Sequence, residues 1–360
     1  MYLYFMNKKF EEEIKDQHPL RKAALEKLYY FMANPGRFSL LVIGERGTGK
    51  SRWIKQISEI LKEEKVQFAN KFVEASCASF NHDNAEADIF GYEPHAFTNA
   101  NPKGHNGLLM QADKGFLFLD EVHHLDDRVK SKLLTAMQTV GSGKEKGKFS
   151  LRRMMGDEIH YVSVRPIFGS NRSISELKNE TLLPDFYDRI AQLVVKLPSI
   201  SETREAVKPD FMLVWEGMKF NEAKGYEYLK PPSISDFYNW LSLLPLDGNF
   251  RDLQTVSILW MTYWNIVQTE FKNLNINDKE KKIFELVKGD FEKFNLTSKI
   301  ELPHSIDVTR PFEEHYNALK KMYAKTISQN PDFKNIKQGD LVFETGKTKK
   351  TIEKWLSIIN

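Results

Sequence analysis

The sequence predicts an α/β fold: a parallel sheet flanked by helices, then a helical region, then a small helical unit. Short apolar runs alternate with helical periods from Phe38 to about Leu197. A glycine-rich loop, Gly44 to Gly49, joins the first apolar run to the first long helix. Beyond about Ser201 the strand signals fade and helical spacing takes over. Strand–helix alternation is the pattern of parallel strands covered by crossover helices.

Taken in order, Arg21 to Met32 places Leu25, Leu28, Tyr29 and Met32 on one helical face, and Asn34-Pro35-Gly36 ends that helix. Phe38 to Ile43 is too short and too apolar for a helix and reads as a buried parallel strand. Ser51 to Glu64 carries Ile54, Ile57, Ile60 and Leu61 at helical spacing. Further strands are expected at Gly115–Leu119, Tyr161–Ser170 and Val194–Leu197. The expected division is an α/β unit over 1–200, a helical lid over 201–275, a charged connector over 276–310 and a last helical unit over 311–360.

A chain of 360 residues suffices for two or three domains and a sizeable core. A net charge of +3 neither requires nor excludes nucleic acid, so any basic function must be local. Cys77 is the single cysteine, which rules out an internal disulfide and fits a reducing compartment. Met1 to Glu13 lacks the apolar stretch of a signal peptide, and no run of about 18 apolar residues occurs. The expectation is a cytoplasmic protein with no membrane partner. Residues 1–17 are too few for a sensory domain, so control is expected from a partner, from assembly or from expression level.

Gly44-Glu45-Arg46-Gly47-Thr48-Gly49-Lys50-Ser51 fits the phosphate-loop pattern GxxxxGK[ST], with a strand before it and a helix after it. The glycines let backbone N–H groups turn toward phosphate, and the helix N-terminus favours an anion. Lys50 would reach the β- and γ-phosphates of a nucleotide, and the Ser51 hydroxyl would ligate Mg²⁺. Phe116 to Leu119 runs into Asp120 and Glu121, acids at the end of a strand where open α/β sheets bind ligands. Asp120 would orient Mg²⁺ and Glu121 would polarise an attacking water. Asn171, ending the next strand, can hold that water.

The order of these motifs resembles the AAA+ domain of bacterial enhancer-binding proteins, the activators of sigma-54 RNA polymerase. The likeness covers roughly residues 18–260. Ile89 to Ala100 looks like that family's ELFGHE…GAFTGA segment, and Gln111 to Glu121 is similar to its QADGGTLFLDE. Asp185-Phe186-Tyr187-Asp188-Arg189 with Leu197-Pro198 looks like DLYYRL…LPPL, and Gly248-Asn249-Phe250-Arg251-Asp252-Leu253 resembles GNVREL. The resemblance implies ATP hydrolysis with Mg²⁺ in a homo-oligomeric, hexameric ring. It makes Asn171 the first sensor, Arg189 a finger reaching a neighbour's ATP, and Arg251 the second sensor. Phe97 and Thr98 match the residues that grip sigma-54.

The client loop departs from the family: His95 and Asn99 replace both glycines of GAFTGA. Ser76 stands where the family has an asparagine restraining the catalytic glutamate, and Leu183 where many members have a second arginine. Lys144, Lys146, Lys148, Arg152 and Arg153 match the second pore-side insertion, which reads as a contact for nucleic acid or an acidic client, or as a solvated loop. At the end of the chain, Ile352, Trp355, Leu356 and Ile359 form one helical face and Lys347, Lys349, Lys350 and Lys354 the other. This unit resembles a helix-turn-helix that docks on double-stranded DNA; a helical cap with solvated lysines is the other reading. The expected function is an ATP-dependent transcriptional regulator that remodels sigma-54 polymerase while bound to DNA. The alternative is a remodeller of another protein client, for example in a defence or DNA-handling system, with the last helices as an adaptor.

Overall fold

The computed structural model describes residues 6–34, 36, 38–81, 84–98, 100–218 and 229–295. The chain divides into two compact units, residues 1–285 and 286–360. The expected helix-turn-helix-like unit at 311–360, with Lys347, Lys349, Lys350 and Lys354, lies outside the described residues.

Among the described residues, five strands form the main sheet: β1 Leu40–Ile43, β2 Phe72–Ser76, β3 Phe116–Asp120, β4 Arg165–Ser170 and β5 Leu193–Lys196. Their order is β2-β3-β4-β1-β5 and every neighbouring pair is parallel. The register sets Ile43 beside Ser170 and Ser76 beside Asp120, so the functional strand ends share one edge of the sheet.

Both faces are covered, as the apolar runs require. Alternate residues feed two cores: Leu41, Ile43, Leu117, Leu119 and Phe168 enter one, and Leu40, Val42, Phe116, Phe118 and Ile167 the other. The second core is closed by three helices: α1 Lys8–Ile14, α2 Pro19–Ala33 and α3 Lys50–Glu63. The first takes α4 Ala85–Phe90, α5 Asp127–Ala136 and α6 Pro184–Ile190. Proline at the first position of α2 and of α6 suits helix starts, where an N–H is dispensable.

The helical region comprises α7 Val207–Met218, α8 Ser235–Leu243, α9 Phe250–Glu270 and α10 Ile276–Asn295. Aromatic packing holds it together: Phe237 lies 5.2 Å from Phe211, 5.3 Å from Trp260 and 5.8 Å from Phe284 between ring centroids.

Three local expectations need correction. Tyr161–Ser170 is not one strand: His160–Val162 pairs with Phe149–Leu151 in a separate ribbon, and β4 starts at Arg165. The chain is diverted at Ser163, whose N–H donates to Asp113 Oδ1 and whose carbonyl accepts from Lys114 N. Strand β2 was not expected, because it is an edge strand with Glu74 at its middle and no residue fully buried. Residues 276–295 are helix rather than connector. Ile283, Val287 and Phe291 recur every fourth position among charged neighbours, which is a helical period.

Candidate nucleotide site

The phosphate loop bends sharply between β1 and α3. Gly47 and Gly49 take left-handed φ of 77° and 89°, and a Cβ on Gly47 would sit 1.9 Å from the Gly248 carbonyl oxygen. Gly49 precedes α3 with no side chain capping it, so the first N–H groups of the helix face the loop. Thr48 Oγ1 donates to the Glu45 carbonyl at 2.9 Å and tightens the turn.

Lys50 is 8% exposed, and its ammonium donates to the Gly44 carbonyl at 2.7 Å and the Glu45 carbonyl at 3.3 Å. Burial lowers its pKa, opposed by the nearby carboxylates of Asp120 and Glu121. A phosphate at the loop would supply the counter-charge that burial withholds. Ser51 Oγ donates to Asp120 Oδ2 at 3.2 Å, while Asp120 Oδ1 accepts from the Glu121 N–H at 2.9 Å. Only glycine fits beside this carboxylate: a Cβ on Gly169 would lie 2.3 Å from Asp120 Oδ1.

Glu121 stands in the left-handed region at φ 54°, ψ 43°, which turns its side chain out of the strand line. Its Oε2 lies 3.7 Å from His124 Nε2. His123, whose Nδ1 is 3.2 Å from Ser170 Oγ, has its pKa pushed down to about 4 by burial first, then by His124 and Arg172.

A cavity of about 490 Å³ opens here, and Arg46 to Trp53, Asp120, Glu121, Phe250 and Arg251 line it. Leu213, Val214, Gly217 and Met218 of α7 form an apolar wall. The volume, with an apolar wall on one side and a cationic and hydroxyl-bearing loop on the other, suits a nucleotide. The predicted Lys50, Ser51, Asp120, Glu121 and Arg251 are therefore brought together. Asn171 follows β4 directly but does not line this cavity. Arg189, on α6, lies apart from it and donates through Nη2 to the Met137 carbonyl.

Sequence reasoning passed over Asn249, which is fully buried. Its Nδ2 donates to Glu45 Oε2 at 3.1 Å and to the Arg46 carbonyl at 3.0 Å, and its Oδ1 accepts from Ile200 N at 2.7 Å. Beside it, Phe250 N donates to the Gly47 carbonyl at 3.2 Å. These bonds fasten the start of α9 to the phosphate loop. The available signal was the Gly248-Asn249 pair immediately before Phe250 and Arg251.

The client-loop residues sit beside a short ribbon of Gly91–Tyr92 and His105–Asn106. Phe97 is 41% exposed and packs its ring 4.9 Å from Tyr92, and Thr98 is exposed. His95 adopts φ 60°. Of the basic insertion, Lys148 pairs with Glu145, and Arg153 lies 3.6 Å from Glu93 and donates to Asn106. Lys144, Lys146 and Arg152 are exposed.

A parallel sheet in the order β2-β3-β4-β1-β5, with a phosphate loop after β1 and a carboxylate pair after β3, defines an AAA+ phosphate-loop fold. The profile of the Sigma-54 interaction domain matches residues 16–196, and the chain belongs to that family. It is 27% identical to the transcriptional regulatory protein RtcR of Escherichia coli (strain K12) over 78% of its length, spanning 53% of that protein. It is 32% identical to the Psp operon transcriptional activator of Escherichia coli (strain K12) over 60% of its length, spanning 62% of that protein. The chain thus covers less than two thirds of either regulator. NtrX from Brucella abortus in complex with ATP is a similar structure, with a TM-score of 0.58 at 17% identity, over 98% of this chain and 72% of that one. This last likeness is one of fold alone.

Proposed function

We propose that this chain is an ATP-driven activator of sigma-54 RNA polymerase that works as a homo-oligomeric, hexameric ring in the cytoplasm. The observation that carries the reading is the convergence of Lys50, Ser51, Asp120, Glu121 and Arg251 on one cavity beneath a glycine-bent loop. In this reading Lys50 and the loop N–H groups bind the phosphates, and the α7 wall receives the base. Ser51 and Asp120 suit a Mg²⁺ ion, since their oxygens converge at 3.2 Å. Bound there, the ion would neutralise charge on the β- and γ-phosphates. Glu121 takes a proton from the attacking water as its oxygen bonds to the γ-phosphorus and the bond to ADP breaks. Asn171 positions that water, and Arg251 reads the phosphates from the helical region.

Arg189 completes the site of the neighbouring subunit. Its place on α6, away from its own cavity, supports supply in trans. Hydrolysis then depends on assembly, and a finger of this kind is worth about 10³–10⁵ in rate. Phe97 and Thr98 engage sigma-54, and the C-terminal lysines Lys347, Lys349, Lys350 and Lys354 hold double-stranded DNA. No helix among the described residues is long and apolar enough to cross a membrane.

A different protein client is the second reading, favoured by His95 standing at φ 60° in a loop where the family pattern has glycine. Steady-state ATPase activity measured against protein concentration tests the main reading. Specific activity should rise with concentration as rings form. Activity that is absent, or that is constant per molecule from a monomer, would contradict it.

A further inference from the structure

Arg21 on α2 belongs to none of the nucleotide motifs, yet it is 1% exposed and committed on three sides. Its Nη1 donates to Asp210 Oδ1 at 2.5 Å and to Gln17 Oε1 at 3.1 Å. Its Nη2 donates to Asp210 Oδ2 at 3.0 Å and to Thr203 Oγ1 at 2.8 Å. The guanidinium also lies over the Phe250 ring, 4.8 Å from its centroid. Asp210 is itself 3% exposed; burial raises its pKa, and the Arg21 hydrogen bonds and charge oppose that rise.

Two of these partners, Asp210 and Phe250, belong to elements that line the cavity. Asp210 stands one turn before Leu213 and Val214 on α7, which form the apolar wall. Phe250 binds the Gly47 carbonyl through its N–H and is followed by Arg251, which faces the cavity. A buried ion pair adds little net stability over apolar residues of the same volume. What a two-pronged fork with a stacked face adds is a fixed orientation.

We propose that Arg21 is a positioning residue for the nucleotide site: its fork on Asp210 and its face on Phe250 fix α7 and α9 against α2, and so hold Arg251 at the phosphate loop. The proposal rests on the reading of this cavity as an ATP site. Arg21 acts through Arg251, so the two side chains are coupled although they bear like charges and Arg21 does not line the cavity.

The test is a double-mutant cycle on the full chain: parent, Arg21→Lys, Arg251→Ala and both together, assayed for KM and kcat with ATP and for binding of a fluorescent ATP analogue. Arg21→Lys keeps the charge and loses the fork. It should raise KM about tenfold with a smaller change in kcat, and change KM less than about twofold once Arg251 is alanine. Two independent effects that multiply in the double variant would overturn the proposal, because a purely structural role predicts that result. A parent that neither binds nor hydrolyses ATP would overturn the reading of the site, and this proposal with it. Should Arg21→Lys fail to fold by circular dichroism, Arg21→Met combined with Asp210→Leu leaves no unpaired buried charge. That pair then takes its place in the cycle, with the same two outcomes.

Discussion

Replacing Asn249 by alanine should loosen the phosphate loop and the start of α9 together. The Asn249 amide accepts from Ile200 N at 2.7 Å and donates to Glu45 Oε2 and to the Arg46 carbonyl. Truncation leaves the Ile200 N–H without its side-chain acceptor, which costs about 1–3 kcal/mol for a buried donor. Loss of the two donated bonds adds roughly 1–2 kcal/mol. The backbone stands at φ 54°, ψ −128°. Alanine tolerates positive φ less well than asparagine, by about 1 kcal/mol. The total is about 3–6 kcal/mol, or a fall in Tm of roughly 6–12 °C at about 2 °C per kcal/mol for a domain of this size. Thermal unfolding followed by circular dichroism measures it. ATP-analogue binding should weaken in parallel, since the loop loses its fastening. Asn249→Gly relieves the backbone strain while losing the same bonds, and should recover about 2 °C of the loss. An alanine variant unfolding within about 1 °C of the parent would refute the reasoning, because the buried Ile200 donor alone predicts more.

Three further outcomes are expected. Glu121→Gln should bind the ATP analogue with parental affinity and lose at least about 10²-fold in turnover, since the amide cannot accept the water's proton; parental turnover would remove Glu121 from its role. Arg189→Ala should bind nucleotide normally, lose about 10³-fold in activity and regain it in rings mixed with Glu121→Gln subunits, which supply the finger; mixed rings that stay inactive would count against supply in trans. The pKa of His123 is pushed down to about 4. Its folded pKa lies below the usual value of about 6.5, so the unfolded chain binds more protons between those limits. Its contribution is complete above about pH 6.5 and is lost as pH falls toward 4. Across that window the Tm of His123→Gln should fall less than that of the parent, and equal slopes would contradict the assignment.

The site was legible where chemistry is local in sequence. The phosphate loop, Asp120 and Glu121 each announce themselves by spacing beside an apolar strand, and the structure brings them to one cavity. Arg251 was legible through its motif, and the role of Asn249, two positions before it in the same motif, was not. Its role arises from Ile200 and Glu45, which lie 49 and 204 positions away in sequence. Arg21 is hidden for the same reason, because a helical arginine gives no sign that Asp210 will cover it. In the fold, the buried strands stood out, while β2 did not, since its edge position leaves the residues half-covered and admits Glu74. The false continuity of Tyr161–Ser170 arose because Val162, Val164 and Ile167 are all buried, though Val162 belongs to a ribbon and Ile167 to the main sheet.

The central claim is that ATP turnover here is coupled to sigma-54. Incubating the purified protein with sigma-54, ADP and aluminium fluoride, then separating complexes by size, tests it most directly. The account predicts a stable ring–sigma-54 complex that forms only with the trapped nucleotide and is lost in Thr98→Ala. Rings that hydrolyse ATP yet never retain sigma-54 would contradict it and turn the search to a different client.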